Sequence, residues 1–213
     1  MTSYQQDDIA PEELDRQREL NGRFGQALRE LVDAGIRTTV AADDIRQATL
    51  EIEQLTARLR LSQLPGSFGR EVSPRGPPLH WGNAVVGLRN AIAPPLLVER
   101  DPSGNGNVHA EFLLGAAYEG PPTLVHGGVC ALILDQLLGE AASAGGRPGL
   151  TGKLTMTYRK PTPLGELRAE AWIDRTEGVK TWARGHIIGP QGVTVEAEGL
   201  FILPSWARQA WVE

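Results

Sequence analysis

The chain has 213 residues, 41% hydrophobic and 22% charged, a balance expected of one globular domain carrying an extension. The formal net charge of −5 argues against nucleic acid as a main partner, because phosphate binding needs a basic face; a small anionic ligand needs only a few local cations or helix amides and stays open. A single cysteine, Cys130, rules out an intrachain disulfide, and no apolar run approaches the ~18 residues of a membrane span. The polar, acidic N-terminus has no apolar core of a secretory leader, so the expectation is a cytoplasmic protein.

In chain order, residues 1–10 are expected to be disordered. Residues 11–34 predict a helix with Pro11 near its start and Leu14, Phe24, Leu28, Leu31 and Val32 as buried positions, although Gly22 and Gly25 weaken it. Asp43 or Asp44 can cap a second helix over about 45–63. There Ile45, Ala48, Ile52, Leu55 and Leu59 recur in alternating steps of three and four, a heptad stripe suited to packing on its own domain or on a dimer partner. These helices make a helical N-terminal extension, residues 1–64. Residues 65–95 are rich in Pro and Gly and read as an irregular connection.

From Leu96 the texture changes. LLVERD and NVHAEFLL predict two strands joined by the turn PSGNG. A helix follows over about 127–143, stopped by GGRP, with Gly145 suited to its C-terminal cap. LTGKLTMTYRK, ELRAEAWID, KTWARGHII and VTVEAEGLFIL then alternate with period two, which predicts an antiparallel meander with one wet face. In the last of these, Val193, Val195, Ala197, Gly199 and Phe201 are set against Thr194, Glu196 and Glu198. The helix is apolar nearly all round, as buried helices are. The fold class is therefore α+β. An antiparallel sheet wrapped around one buried helix is the hotdog architecture, here over 96–204 with a tail at 205–213.

The informative segment is EGPPTLVHGGVCALILDQLLG. Gly127 and Gly128 stand where a loop becomes a helix, and the first helix amides lack internal acceptors at the positive end of the helix dipole. They serve either as an oxyanion hole or as a tight turn that needs small residues. Asp135 interrupts the apolar helix. It is either a carboxylate on a narrow wet stripe, or a general base or nucleophile. Gly128 and Asp135 are seven residues apart, roughly 10 Å along a helix axis. One Asp side chain cannot span that gap to a shared carbonyl, so if both act, they come from two chains of an obligate dimer.

HGGVCALILD, EGPPTLVHGG and LTMTYRKPTPLGELRAEAWIDRTEGVK resemble the hotdog thioesterases of the phenylacetate-pathway (PaaI-type) class, and more closely the animal thioesterase-superfamily-member acyl-CoA thioesterases. The resemblance covers about residues 96–204. It implies hydrolysis of an acyl-CoA to free acid and coenzyme A, with no cofactor beyond the coenzyme A of the substrate and no metal. It further implies that the Gly127 amide donates to the thioester oxygen, that His126 shapes the oxyanion turn, and that Asp135 of the other subunit acts as base or nucleophile. Thr151, seven residues before Tyr158, falls where the family places a hydroxyl that orients the water. Gly128, Arg159 and Lys160 become substrate contacts, the last two toward coenzyme A phosphates, although both cations also fit a solvated strand end. Gly120 stands where some members carry a supporting Asn, a departure from the pattern. The assembly would be a homodimer or homotetramer. The competing reading is a hotdog dimer that binds acyl-CoA or a partner without hydrolysing it. A hydratase is disfavoured because the central helix has no histidine. Other signals carry little: no G-x-S-x-G elbow accompanies HGG, Cys130 reads as an inert buried thiol, and His80, His109 and His186 show no zinc spacing.

Overall fold

A computed structural model of the chain describes residues 10–67, 80–103, 105–143 and 149–208. The expected disorder before residue 10, the GGRP stop of the helix and most of the tail lie outside the described residues. The chain divides into two compact units, residues 1–91 and 92–213.

In the first unit, α1 spans Pro11–Arg37 and α2 spans Ala42–Leu59. Proline sits at the start of α1, where a missing N–H costs nothing. Leu14 packs with Trp81 and Leu88. Gly25 is needed for that packing: a Cβ there would lie 1.8 Å from the Leu88 carbonyl oxygen, and the Arg29 guanidinium donates to Leu88 O and, at 3.2 Å, to Asn90 O. Leu31 and Val32, expected inside, are exposed, because this small cluster engages only the first half of the helix. α2 begins earlier than expected. Its N-cap is Ala41 and no side chain caps it, so Asp43 and Asp44 lie in the first turn, facing the positive end of the helix dipole.

The second unit contains β1 (Glu99–Arg100), β2 (Val108–Leu114), α3 (Gly127–Ala142), β3 (Leu150–Tyr158), β4 (Gly165–Glu177), β5 (Lys180–Gly189) and β6 (Gly192–Ile202). The strands form one antiparallel sheet in the order β1-β2-β4-β5-β6-β3. Of LLVERD only two residues pair, while Leu96 is buried. α3 packs on one face of the sheet, the hotdog arrangement. Ile133, Leu134, Leu137 and Leu138 are fully buried against a strand face of small and branched residues, including Ala169, Ala183, Ile187 and Val195. Each such leucine or isoleucine contributes roughly 1.5–3 kcal/mol by leaving water. The strand alanines leave room for the helix.

Two expectations need correction. α3 is not covered all round in one chain: Leu132 is 40% exposed, and Asp135 and Gln136 are half-buried beside it. Thr194 does not share the wet face with Glu196 and Glu198. The β5–β6 register shifts between Ile187 and Ile188, and this bulge turns Thr194 inward, where it is buried and donates to Ile187 O. The β3 edge is unpaired among the described strands, and its residues are mostly exposed.

Candidate active site

The loop entering α3 is held by its own polar groups. Thr123 adopts φ 67°, a costly conformation for a β-branched residue. Its N–H donates to the Glu119 carboxylate at 2.8 Å, and its carbonyl accepts from Leu164 N–H. The His126 N–H donates to Tyr118 O, and the Val125 N–H to Thr162 O. The chain therefore enters the helix along a path set from both sides. His126 is the N-cap, and its Nδ1 accepts the Gly128 N–H at 3.0 Å. A neutral imidazole accepting at Nδ1 carries its proton on Nε2. A Cβ on Gly128 would lie 3.1 Å from that Nδ1, so glycine lets the ring fold over the helix end.

These bonds sort the helix-terminal amides. Gly128 N–H is occupied by His126. The Gly127 carbonyl accepts from the Tyr158 hydroxyl at 2.8 Å. The Gly127 N–H has no acceptor among the described residues. One half-buried amide thus remains as a donor at the positive end of α3.

The carboxylate lies two turns further along. Asp135 Oδ1 accepts from Thr151 Oγ1 at 3.0 Å, while Oδ2 has no partner among the described residues. A β-bulge makes this pairing. In β3, Thr151 pairs with Phe201 and Lys153 with Leu200, so Gly152 is the extra residue. Simple alternation would put Thr151 with Thr155 and Thr157 on the outer face. The bulge instead sets it opposite Phe201, which points inward toward α3.

The remaining expected contacts are engaged by protein groups. Arg159 forms an exposed ion pair with Glu196 at 2.8 Å, and Lys160 Nζ donates to Gln191 O at 2.9 Å. Gly120 is sterically required: a Cβ there would lie 2.8 Å from His126 Cα. An Asn at this position would displace the N-cap, so the loop has no room for it. Cys130 is buried, and burial raises its thiol above the ordinary range. It sits at the head of a buried chain in which Thr162 Oγ1 donates to Thr194 Oγ1 at 2.9 Å.

Sequence reasoning passed over Glu119, Thr123 and Tyr158. Glu119 and Thr123 look like ordinary loop residues; a positive φ marks Thr123, and Glu119 is marked only by the bond its carboxylate accepts from the Thr123 N–H. Tyr158 looks like one more member of an alternating strand. Partial desolvation, and secondarily the Cys130 thiol nearby, raise its ionisation above the ordinary phenol range.

The chain is similar to proteins of one known family. The thioesterase superfamily profile matches residues 123–196, from the loop before α3 to the middle of β6. The solved structure of a thioesterase superfamily protein is 31% identical, with a TM-score of 0.74, over 85% of this chain and 94% of that one. That coverage exceeds what residues 92–213 can supply, so it includes part of the helical first unit. A Bacillus halodurans protein solved with CoA is 27% identical over 44% of this chain and 68% of its own, with a TM-score of 0.41. Zebrafish thioesterase superfamily member 2 is 17% identical over 51% and 81%, with a TM-score of 0.47.

Proposed function

The chain belongs to the thioesterase superfamily, and from that premise we propose that it hydrolyses an acyl-CoA to free acid and coenzyme A. It does so as a homodimer in which each site combines Asp135 and Thr151 of one chain with the Gly127 amide of the other. The observation that carries the reading is the Thr151–Asp135 hydrogen bond, which leaves one carboxylate oxygen free. It is joined by the Gly127 amide, which has no acceptor among the described residues.

Distance requires two chains. Gly127 and Asp135 are eight residues apart on α3, about 12 Å along the axis, whereas both must approach one carbonyl to about 3 Å. The exposed Leu132 beside Asp135 and the open β3 edge supply surface for a second copy. The Gly127 N–H and the helix dipole polarise the thioester carbonyl. Asp135, aligned by Thr151, takes a proton from the attacking water. The tetrahedral oxyanion is held by the amide, then collapses with loss of coenzyme A thiolate. In the competing version the carboxylate attacks directly and forms an anhydride. Coenzyme A as the leaving thiol rests on the resemblance of the α3 and β3 motifs.

The test is thiol release from a panel running from acetyl-CoA to palmitoyl-CoA and phenylacetyl-CoA. Hydrolysis of at least one member is expected. Binding of acyl-CoA without release by any member would instead make the protein a binding module.

Tyr158 is a positioning residue in this scheme, because its hydroxyl bonds the carbonyl of the residue whose amide serves the oxyanion. Tyr158→Phe keeps the ring against Gly127 and removes one hydrogen bond. The expected result is a fall in kcat of up to about tenfold, the equivalent of roughly 1.4 kcal/mol, with KM unchanged. Unchanged kcat with a lowered Tm would reduce Tyr158 to packing.

A further inference from the structure

Within its own unit, α2 is an amphipathic helix without a covered face. None of its 18 residues is buried, and Ile45, Ile52 and Leu59 of its apolar stripe are between 42% and 45% exposed. A helix of this length gains most of its stability from packing its apolar side, and alone in water it is marginal. Its charges indicate what covers it. Of the three first core positions of the heptad, Ile52 and Leu59 are preceded by opposite charges, Glu51 and Arg58, and Ile45 by Asp44. The positions that flank the stripe on its other side are Thr49 and Thr56. Among the described residues neither Glu51 nor Arg58 forms an ion pair; Glu51 accepts only from Gln47.

We propose that α2 pairs antiparallel with α2 of a second copy of this chain. With Ile52 facing Leu55 of the second copy and Ala48 facing its Leu59, the stripes cover each other from Ala48 to Leu59, and Ile45 lies beyond the overlap. The same register sets Glu51 against Arg58 of the second copy, twice by symmetry, and Thr49 against Thr56. Flanking charges of this kind set orientation in paired helices. A parallel pair would set Glu51 against Thr56 instead. It would also stack the acidic first turns, Asp43 and Asp44, on each other and align the two helix dipoles. The antiparallel pair removes both penalties. The contact is separate from the proposed catalytic one and does not depend on the thioesterase reading.

Cross-linking of the full chain tests it. Ala48→Cys and Leu59→Cys chains are purified separately and co-expressed, then mildly oxidised; native Cys130 is buried and gives little background. The antiparallel register expects a disulfide between the Ala48→Cys and Leu59→Cys chains and little in either alone. Identical cysteines would lie eleven residues out of register, about 16 Å, beyond disulfide reach. Cross-links within each variant alone would overturn the register in favour of a parallel pair. No cross-link in any sample would overturn self-pairing and leave α2 to another partner. As a second measurement, Arg58→Glu is expected to lower the mixed cross-link several-fold, and adding Glu51→Arg in the same chain to restore it. Failure of the double swap to restore it would remove the charge argument.

Discussion

Asp135→Asn is expected to lower kcat for acyl-CoA hydrolysis at least about 100-fold, on the order of 2.7 kcal/mol, with KM and Tm nearly unchanged. Asparagine has the size of aspartate and keeps an oxygen to accept from the Thr151 hydroxyl, so the helix–strand contact survives. It loses the negative charge and the basicity of the free oxygen. Base and nucleophile versions of the mechanism are disabled alike, because neither proceeds through a neutral amide. Asp135 is half-buried rather than part of the core, so no large change in stability accompanies the loss. Kinetics and a thermal melt on the same preparation check both halves. Wild-type rates in the variant would remove Asp135 from the site while leaving the hydrolysis itself standing.

Mixing two inactive variants is expected to regenerate activity. Gly127→Pro deletes the proposed oxyanion donor with little disturbance. Proline is favoured at the first helical position, and His126 already has the extended backbone, φ −60° and ψ 130°, that a residue before proline needs. The glycine Cβ direction meets the Tyr158 ring at 3.4 Å, an ordinary contact. Alone, Gly127→Pro is expected to cost about 10²–10³ in kcat, the usual effect of losing an oxyanion donor. Refolded together in equal amounts, Gly127→Pro and Asp135→Asn chains form mixed dimers. One site of each mixed dimer then holds an intact Asp135 and an intact Gly127 amide. Random pairing makes half the dimers mixed with one good site each, so about one quarter of wild-type activity returns. A site contained within one chain predicts no recovery at all.

The fold and half of the site were legible locally. The N-terminal position of α3, the apolar period of its buried side and the odd carboxylate at Asp135 are properties of neighbouring residues, and a helix places neighbours predictably. The strands announced themselves by alternation for the same reason. The contact between Thr151 and Asp135 was not legible this way. Strict alternation puts Thr151 on the wrong face, and only its family resemblance pointed to it. The bulge that reverses it arises from the pairing of β3 with β6, about fifty residues away in sequence. Thr194 misleads identically, through a register shift against β5.

Composition and periodicity were enough to establish an antiparallel sheet around one apolar helix, with a glycine-rich helix start and a carboxylate, Asp135, interrupting its apolar run. Those features come from interactions over one turn of helix or two residues of strand. Which amide stays free, which hydroxyl meets Asp135, why position 120 admits no side chain and what holds the Gly127 carbonyl were settled by tertiary structure. Each depends on hydrogen bonds or steric limits between segments that only strand register and loop closure bring together.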